Sequence, residues 1–284
     1  MNNINAVTDF IVKLALAEDI GSGDITTRAI IPREAEAKAV IIAKEDGIIA
    51  GLHVMEAVFR HVDRRIKVKA KREDGSAVKK GKIVAVLSGP AAGIITGERV
   101  ALNFLQHLSG VATLTGKFKT KTSKFKKKAK VIDTRKTTPG LRLLEKYAVK
   151  LGGGENHRLG LYDAILIKDN HIKSAGGIGK AVAKVKGAGN SGIGGRGIEV
   201  EAKTIAEVKD AIKAKADRIL LDNMKIKTLK EAVKLCKKVG VKTEASGGIN
   251  LKNISAVAKT GVDYISIGAL THSAPALDIS LKIL

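Results

Sequence analysis

Over roughly the first hundred residues, apolar runs at 39–43, 47–50, 66–70 and 83–87 alternate with turn signals at Asp46-Gly47, Asp74-Gly75 and Ser88-Gly89-Pro90. Runs of that length between such breakers predict the strands of a small α+β domain. The period changes near Thr96. Val100, Phe104 and Leu108 recur at i, i+4 and i+8 with Leu105 beside them, so a helix with one buried face follows and bridges to a second domain.

Beyond residue 130 short apolar runs alternate with helical patterns. The runs are Val131-Ile132, Ala164 to Ile167, Gly197 to Val200, Arg218 to Leu221, Val241 to Thr243 and Tyr264 to Ile267. Strand and helix in alternation predict parallel strands and an α/β barrel. Each run ends in polar or small residues: Asp133-Thr134-Arg135-Lys136, Lys168-Asp169-Asn170-His171, Glu199 and Glu201, Asp222-Asn223, Glu244 to Gly248, then Ser266 and Gly268. The C-terminal strand ends of a barrel converge on one mouth, so acids and bases far apart in sequence become neighbours there.

Composition narrows the setting. A chain of 284 residues with 44% hydrophobic residues can bury a full core without staples. Its single cysteine, Cys236, can form no intramolecular disulfide; with Leu229 and Val233 it falls on one helical face and reads as a packing residue. Met1 to Asp9 lacks a basic leader and no long apolar run follows, so a cytoplasmic protein that does not cross a membrane is expected. The net charge of +23 draws anions but does not choose among them. Much of the excess is Lys on amphipathic stretches such as Lys225 to Lys238, expected to be a solvated helix surface.

The densest positive cluster is Arg135, Lys136, Arg142, His157, Arg158, Lys168 and His171. Guanidinium forks bind carboxylates and phosphates bidentately and Lys supplies a point charge, so several at one mouth suit a substrate with more than one acidic group. Strand-end placement singles out Arg135, Lys136 and Lys168; Arg142 is expected on the surface of the following helix. Glu201 and Asp222 end successive strands and could hold Mg²⁺ or sugar hydroxyls, or form a salt-bridged structural pair. Glu244-Ala-Ser-Gly-Gly-Ile249 and Ser266-Ile-Gly-Ala269 follow the last two strands, where glycines let backbone N–H groups approach an anion, although a tight turn needs glycine too.

Three other signals carry no chemistry. Gly187-Ala-Gly-Asn-Ser-Gly192 has dinucleotide spacing but precedes a strand instead of following one, and is expected to be a loop. Lys117 to Lys130 holds eight lysines around Phe118 and Phe125; Leu114, Phe118 and Phe125 share a helical face, so core packing is expected. The histidines show no zinc spacing.

Taken together, the motifs resemble the quinolinate phosphoribosyltransferases, the carboxylating nicotinate-nucleotide pyrophosphorylases, over essentially the whole chain. The resemblance rests on Glu18-Asp-Ile-Gly-Ser-Gly-Asp-Ile-Thr-Thr27, Glu98-Arg-Val-Ala-Leu-Asn103, Asp133-Thr-Arg-Lys-Thr-Thr-Pro-Gly140 and Gly152-Gly-Gly-Glu-Asn-His-Arg158. Lys168-Asp-Asn-His171, Glu199-Val-Glu201, Leu221-Asp-Asn223 and Ala245-Ser-Gly-Gly248 complete it.

It implies an N-terminal α/β sandwich domain (1–108, joined by 273–284) and an incomplete α/β barrel (109–272). It also implies a homodimer with shared active sites, dimer or hexamer being open; no specific nucleic acid is expected, because Glu201 and Asp222 would repel phosphates unless a metal intervenes. By the family's pattern Thr134, Arg135, His157, Arg158 and Lys168 surround the pyridine dicarboxylate, and Arg99 reaches in from the partner chain. Lys136, Glu201 and Asp222 face phosphoribosyl pyrophosphate and its Mg²⁺, the two acids holding the metal directly or through water. Ser246, Gly247, Gly248, Gly268 and Ala269 lie near the 5′-phosphate. The implied reaction gives nicotinate mononucleotide, CO₂ and pyrophosphate in de novo NAD biosynthesis. Its rivals are a phosphoribosyltransferase for nicotinate or another ring acid, and a basic nucleic-acid-binding protein.

Overall fold

A computed structural model describes residues 2–125, 129–188 and 197–284. The chain forms two compact units: Met1–Gly116 with Thr137–Gly153 and Leu270–Leu284, and Lys117–Lys136 with Gly154–Ala269. The segment 137–153 therefore belongs to the first unit although it lies within the range expected for the barrel.

The first unit opens with α1 (Asn2–Ile20), α2 (Ile25–Ile30), β1 (Glu36–Ala43) and β2 (Gly47–Ile48). It continues with α3 (Leu52–Val62), β3 (Lys67–Ala70), β4 (Ala77–Val78), β5 (Ile83–Pro90) and α4 (Ala91–Thr122), whose last residues enter the second unit. β6 (Lys130–Ile132) belongs to the second unit and α5 (Arg142–Leu151) to the first. The second unit resumes with β7 (Ile165–Ile167), α6 (Asp169–Ala175), α7 (Ile178–Gly187), β8 (Ile198–Ala202) and α8 (Ile205–Lys213). There follow β9 (Arg218–Asp222), α9 (Ile226–Lys238), β10 (Lys242–Ser246), α10 (Ile254–Lys259) and β11 (Tyr264–Ser266). Then α11 (Ala269–His272) and β12 (Ile279–Ile283) end the chain.

In the first unit an antiparallel sheet runs β12-β1-β5-β3. Ala39, Ile41 and Ala43 of β1 are fully buried while Lys38 is exposed, as a strand with one covered face requires. The expected helix starts at Ala91, earlier than the first apolar match, because Pro90 has no N–H to satisfy and suits a helix start. It stops at Thr122, so Phe125 is not on its face; Phe118 is buried and Phe125 half-buried beyond the helix end. Residues 126–128 of that lysine-rich run, and 189–192 of the expected glycine loop, lie outside the described residues.

Arg142 is half-buried, not a plain surface residue, because its Nε donates to Thr137 Oγ1 at 3.0 Å and holds the side chain along the turn before α5. At the far end of α5, a Cβ on Gly152 would meet the Ala112 carbonyl oxygen at 2.4 Å and Thr115 Cβ at 2.6 Å, both on α4. Gly152→Ala is therefore expected to destabilise by about 1–3 kcal/mol, seen as a lower unfolding midpoint, since neither atom sits at the end of a flexible side chain.

The second unit is a parallel sheet in the order β6-β11-β10-β9-β8-β7. Consecutive strands neighbour one another and β11 returns to β6, so the only pairing a closed barrel would add is β6 with β7. That makes it an incomplete α/β barrel. The open edge of β6 is covered by the chain at 155, where Glu155 N–H donates to Val131 O at 2.9 Å and Asp133 N–H to Glu155 O at 3.2 Å. An edge strand left bare would present unpaired backbone groups. The helices behave as their patterns predict: Leu229, Val233 and Cys236 of α9 are buried, and burial pushes the Cys236 thiol up to about 11, so it is a packing residue.

Candidate active site

Strand alternation places the chemistry. Successive side chains of a strand point to opposite faces, so Glu199 and Glu201 of β8 share one face and Val200 takes the other. By the same rule Arg218 and Asp222 of β9, Glu244 and Ser246 of β10, and Tyr264 and Ser266 of β11 form matching sets. Register pairs Glu199 with Arg218 and Glu244 with Tyr264, but sets Glu244 opposite Leu220, so side-chain reach and not register brings Glu244 to Arg218 and His157. Two levels result. Glu199, Arg218, Glu244 and Tyr264 form a polar floor, and Glu201, Asp222 and Ser246 sit nearer the C-terminal strand ends.

The floor is largely buried and rich in ionisable groups. His157 Nε2 lies 3.2 Å from Glu199 Oε2 and 3.6 Å from Glu244 Oε2; Arg218 Nη1 is 3.3 Å from Glu244 Oε2, and its guanidinium stacks 4.1 Å from the Tyr264 ring. The three ligand-type atoms of His157, Glu199 and Glu244 lie within 4.8 Å of one another, near enough for one cation, but Arg218 already supplies positive charge. Burial raises both carboxyls, and the charge of Glu199 helps lift Glu244 to about 8. As two carboxylates, Glu199 Oε1 and Glu244 Oε1 have no donor. One proton held by Glu244 satisfies both, because it turns Glu244 into a donor toward Glu199.

Asp133, just beyond β6, is fully buried and its Oδ1 accepts the His157 backbone N–H at 2.8 Å. The next N–H, of Arg158, donates to His157 Nδ1 at 2.7 Å, which puts the ring proton on Nε2, facing Glu199. Arg158 is 6% exposed and donates from Nη1 to Ala164 O at 3.0 Å. Burial, then the positive charge of Arg135, lowers its affinity for its proton. The Glu199 and Asp163 carboxylates pull the other way, and an anion bound beside Arg158 would favour its charge further. Thr134 Oγ1 accepts the Lys136 backbone N–H at 3.0 Å; Thr134 and Arg135 are half-buried and Lys136 is exposed.

The acids stand beside them. Glu201 is held partly protonation-prone, first by burial and then by the Asp222 carboxylate, while Lys168 and Lys203 pull the other way. Lys203 Nζ is 2.8 Å from Asp169 Oδ2 and 3.7 Å from Glu201 Oε1. Lys168 is exposed, and its backbone N–H donates to His171 Nδ1 at 3.0 Å. Gly247 has φ +94° and no room for a Cβ, which would fall 2.1 Å from Asn223 Oδ1. Asn223 N–H in turn donates to Ser246 O at 2.9 Å, tying the β9 and β10 ends together. Gly248 O accepts from Asn253 Nδ2 at 2.8 Å. Ser246, Gly247, Gly268 and Ala269 are half-buried and Gly248 is exposed.

All the expected site residues except Arg99 belong to the second unit; Arg99 is an exposed residue of α4 in the first. Glu199, Arg218 and Glu244, with Asp169 and Lys203, receive no individual role from the sequence reading, although it places Asp169, Glu199 and Glu244 at strand ends. A legible signal existed for the first three, since charged residues at alternate positions of strands covered by helices on one face must point to the other.

Fold and site define an incomplete α/β barrel with Arg135, Arg158, Glu201 and Asp222 in its second unit. The descriptions of two family profiles match this chain: the quinolinate phosphoribosyl transferase N-terminal domain over residues 24–109 and its C-terminal domain over 111–282. The chain is 46% identical to the mitochondrial quinolinate phosphoribosyltransferase (decarboxylating) 2b of Nicotiana tabacum, covering 96% of this chain and 81% of that one. It is also 46% identical to the probable nicotinate-nucleotide pyrophosphorylase (carboxylating) of Bacillus subtilis, over 94% of this chain and 90% of that one. The solved nicotinate-nucleotide pyrophosphorylase of Francisella tularensis superposes with a TM-score of 0.92 at 42% identity, over 99% of this chain and 97% of that one. The chain belongs to the quinolinate phosphoribosyltransferase family, whose members are pentosyltransferases. Among the described residues no helix is long and apolar enough to cross a membrane.

Proposed function

We propose that this chain transfers the phosphoribosyl group of phosphoribosyl pyrophosphate to the ring nitrogen of quinolinate and releases CO₂, pyrophosphate and nicotinate mononucleotide, as a step of de novo NAD biosynthesis. The observation that carries the reading is the match of both quinolinate phosphoribosyl transferase domains along the chain, beside a buried Arg158 and a half-buried Arg135 in the barrel unit. Thr134, Arg135, His157, Arg158 and Lys168 surround the dicarboxylate and orient its nitrogen, which supplies rate through positioning. Arg99 completes the pocket from the partner of a homodimer, and the enzyme works in the cytoplasm.

Lys136 faces the pyrophosphate and stabilises the charge that grows as it leaves. Glu201 and Asp222 favour the positive character that develops on the ribosyl carbon. Their all-oxygen donor set, with like charges close enough to raise Glu201, fits a hard divalent cation; Mg²⁺ held there, directly or through water, would neutralise pyrophosphate charge. Ser246, Gly247, Gly248, Gly268 and Ala269 cradle the 5′-phosphate. Once the nitrogen is substituted, the neighbouring carboxylate departs as CO₂, the pyridinium stabilises the electron pair left on the ring carbon, and a proton from solvent takes the carboxylate's place there.

Product analysis tests this. With quinolinate, phosphoribosyl pyrophosphate and Mg²⁺, labelled CO₂ and nicotinate mononucleotide should form together, and a parallel reaction given nicotinate should stay silent. Turnover of nicotinate without CO₂ would reassign the chain to the sister activity.

A further inference from the structure

The polar floor of the barrel is unused by the reaction as proposed, yet it is the least expected part of the second unit. Barrel interiors are ordinarily filled with branched apolar side chains. Here Glu199 and Glu244 are 6% and 0% exposed and share the space with His157 and Arg218. Replacing such a buried ionic set by apolar residues is often neutral or stabilising, so stability alone does not account for it.

Its connections run in one direction. Arg218 is held against the Tyr264 face and reaches Glu244. Glu244 lies against Glu199, and both face His157 Nε2. His157 Nδ1 accepts the Arg158 backbone N–H, and the Arg158 side chain is fixed on Ala164 O. Both ring nitrogens of His157 are thus engaged by the chain itself. We propose that Glu199, backed by Glu244 and Arg218, is a positioning residue that holds His157 and, through it, Arg158 in the dicarboxylate pocket. These hydrogen bonds and ion pairs lead to Arg158, whose charge Glu199 also favours directly.

The inference rests on the functional reading above, and a double-mutant cycle separates the two. Glu199→Gln keeps the shape but weakens the contact with the Nε2 proton. It should raise KM for quinolinate by about 10-fold while KM for phosphoribosyl pyrophosphate stays within about 2-fold. In a His157→Asn background the further effect of Glu199→Gln on quinolinate should shrink below about 2-fold, since the side chain it acts through is gone. Equal losses for both substrates, or a full Glu199→Gln penalty in the His157→Asn background, would overturn the proposal and leave a purely structural glutamate. If Glu199→Gln lacks a cooperative thermal transition, Glu199→Asp passes through the same cycle under the same criteria. Failure of the functional reading looks different: wild-type protein would not turn over quinolinate at all.

Discussion

Arg135→Ala is expected to lower kcat/KM for quinolinate by on the order of 100-fold and to leave KM for phosphoribosyl pyrophosphate within about 3-fold. The asymmetry follows from where the side chain sits. Arg135 follows the β6 end in the same turn as Thr134, close enough to the 6% exposed Arg158 to disfavour its charge. A carboxylate placed between them gains charge-assisted hydrogen bonds that no other proposed ligand group makes. Removing one guanidinium also leaves Arg158 to meet the dicarboxylate alone in a partly desolvated site. Arg135→Lys should recover only part of the loss, because an ammonium cannot supply the planar fork. Steady-state kinetics with each substrate varied in turn decides the matter; equal losses for both would remove Arg135 from the dicarboxylate pocket.

The second large effect is on stability against pH. Glu244 is lifted to about 8 in the folded chain, whereas an unperturbed glutamate titrates near 4.5. The folded state therefore binds this proton more tightly than the unfolded state does. Its stabilising contribution is fully present below about 4.5 and is lost as pH rises toward and through about 8. Glu199 is raised by burial as well, so it tilts the curve the same way. The carboxylates held low by surface partners, such as Asp63 beside Arg65 and Asp46 beside Lys79, act in the opposite sense but only under more acid conditions. Between pH 5 and 8 the thermal midpoint of the wild-type chain should consequently fall relative to that of Glu244→Gln, which carries no titrating proton. A relative change of about 2–4 °C or more is expected, the shift that accompanies each kcal/mol in a domain of this size. Parallel midpoints across that range would mean that Glu244 is ionised in the folded state.

Much of this architecture was legible in the sequence, for a definite reason. The recurrence of short apolar runs and helical patterns after residue 130 is a local property, and β6 to β11 form where those runs stand. The polar strand ends were equally visible, since a residue at the end of a parallel strand needs no partner to reveal its position. The amphipathic pattern of α9 alone was enough to assign Cys236 to the core. Two local expectations failed on detail that residue pattern does not carry. Phe125 continues the apolar spacing of α4, but the helix ends at Thr122. Arg142 reads as a surface residue until Thr137 accepts from it.

The sequence by itself determined the barrel class and the polar character of the strand ends, because strand period and charge type are written residue by residue. Only the tertiary structure decided that segment 137–153 packs with the first unit, that residue 155 covers the open edge of β6, and that Glu199, Glu244, Arg218 and His157 meet in one largely buried cluster. These are pairings between strands and loops tens of residues apart. Their energies depend on register and burial, neither of which exists until the chain has folded.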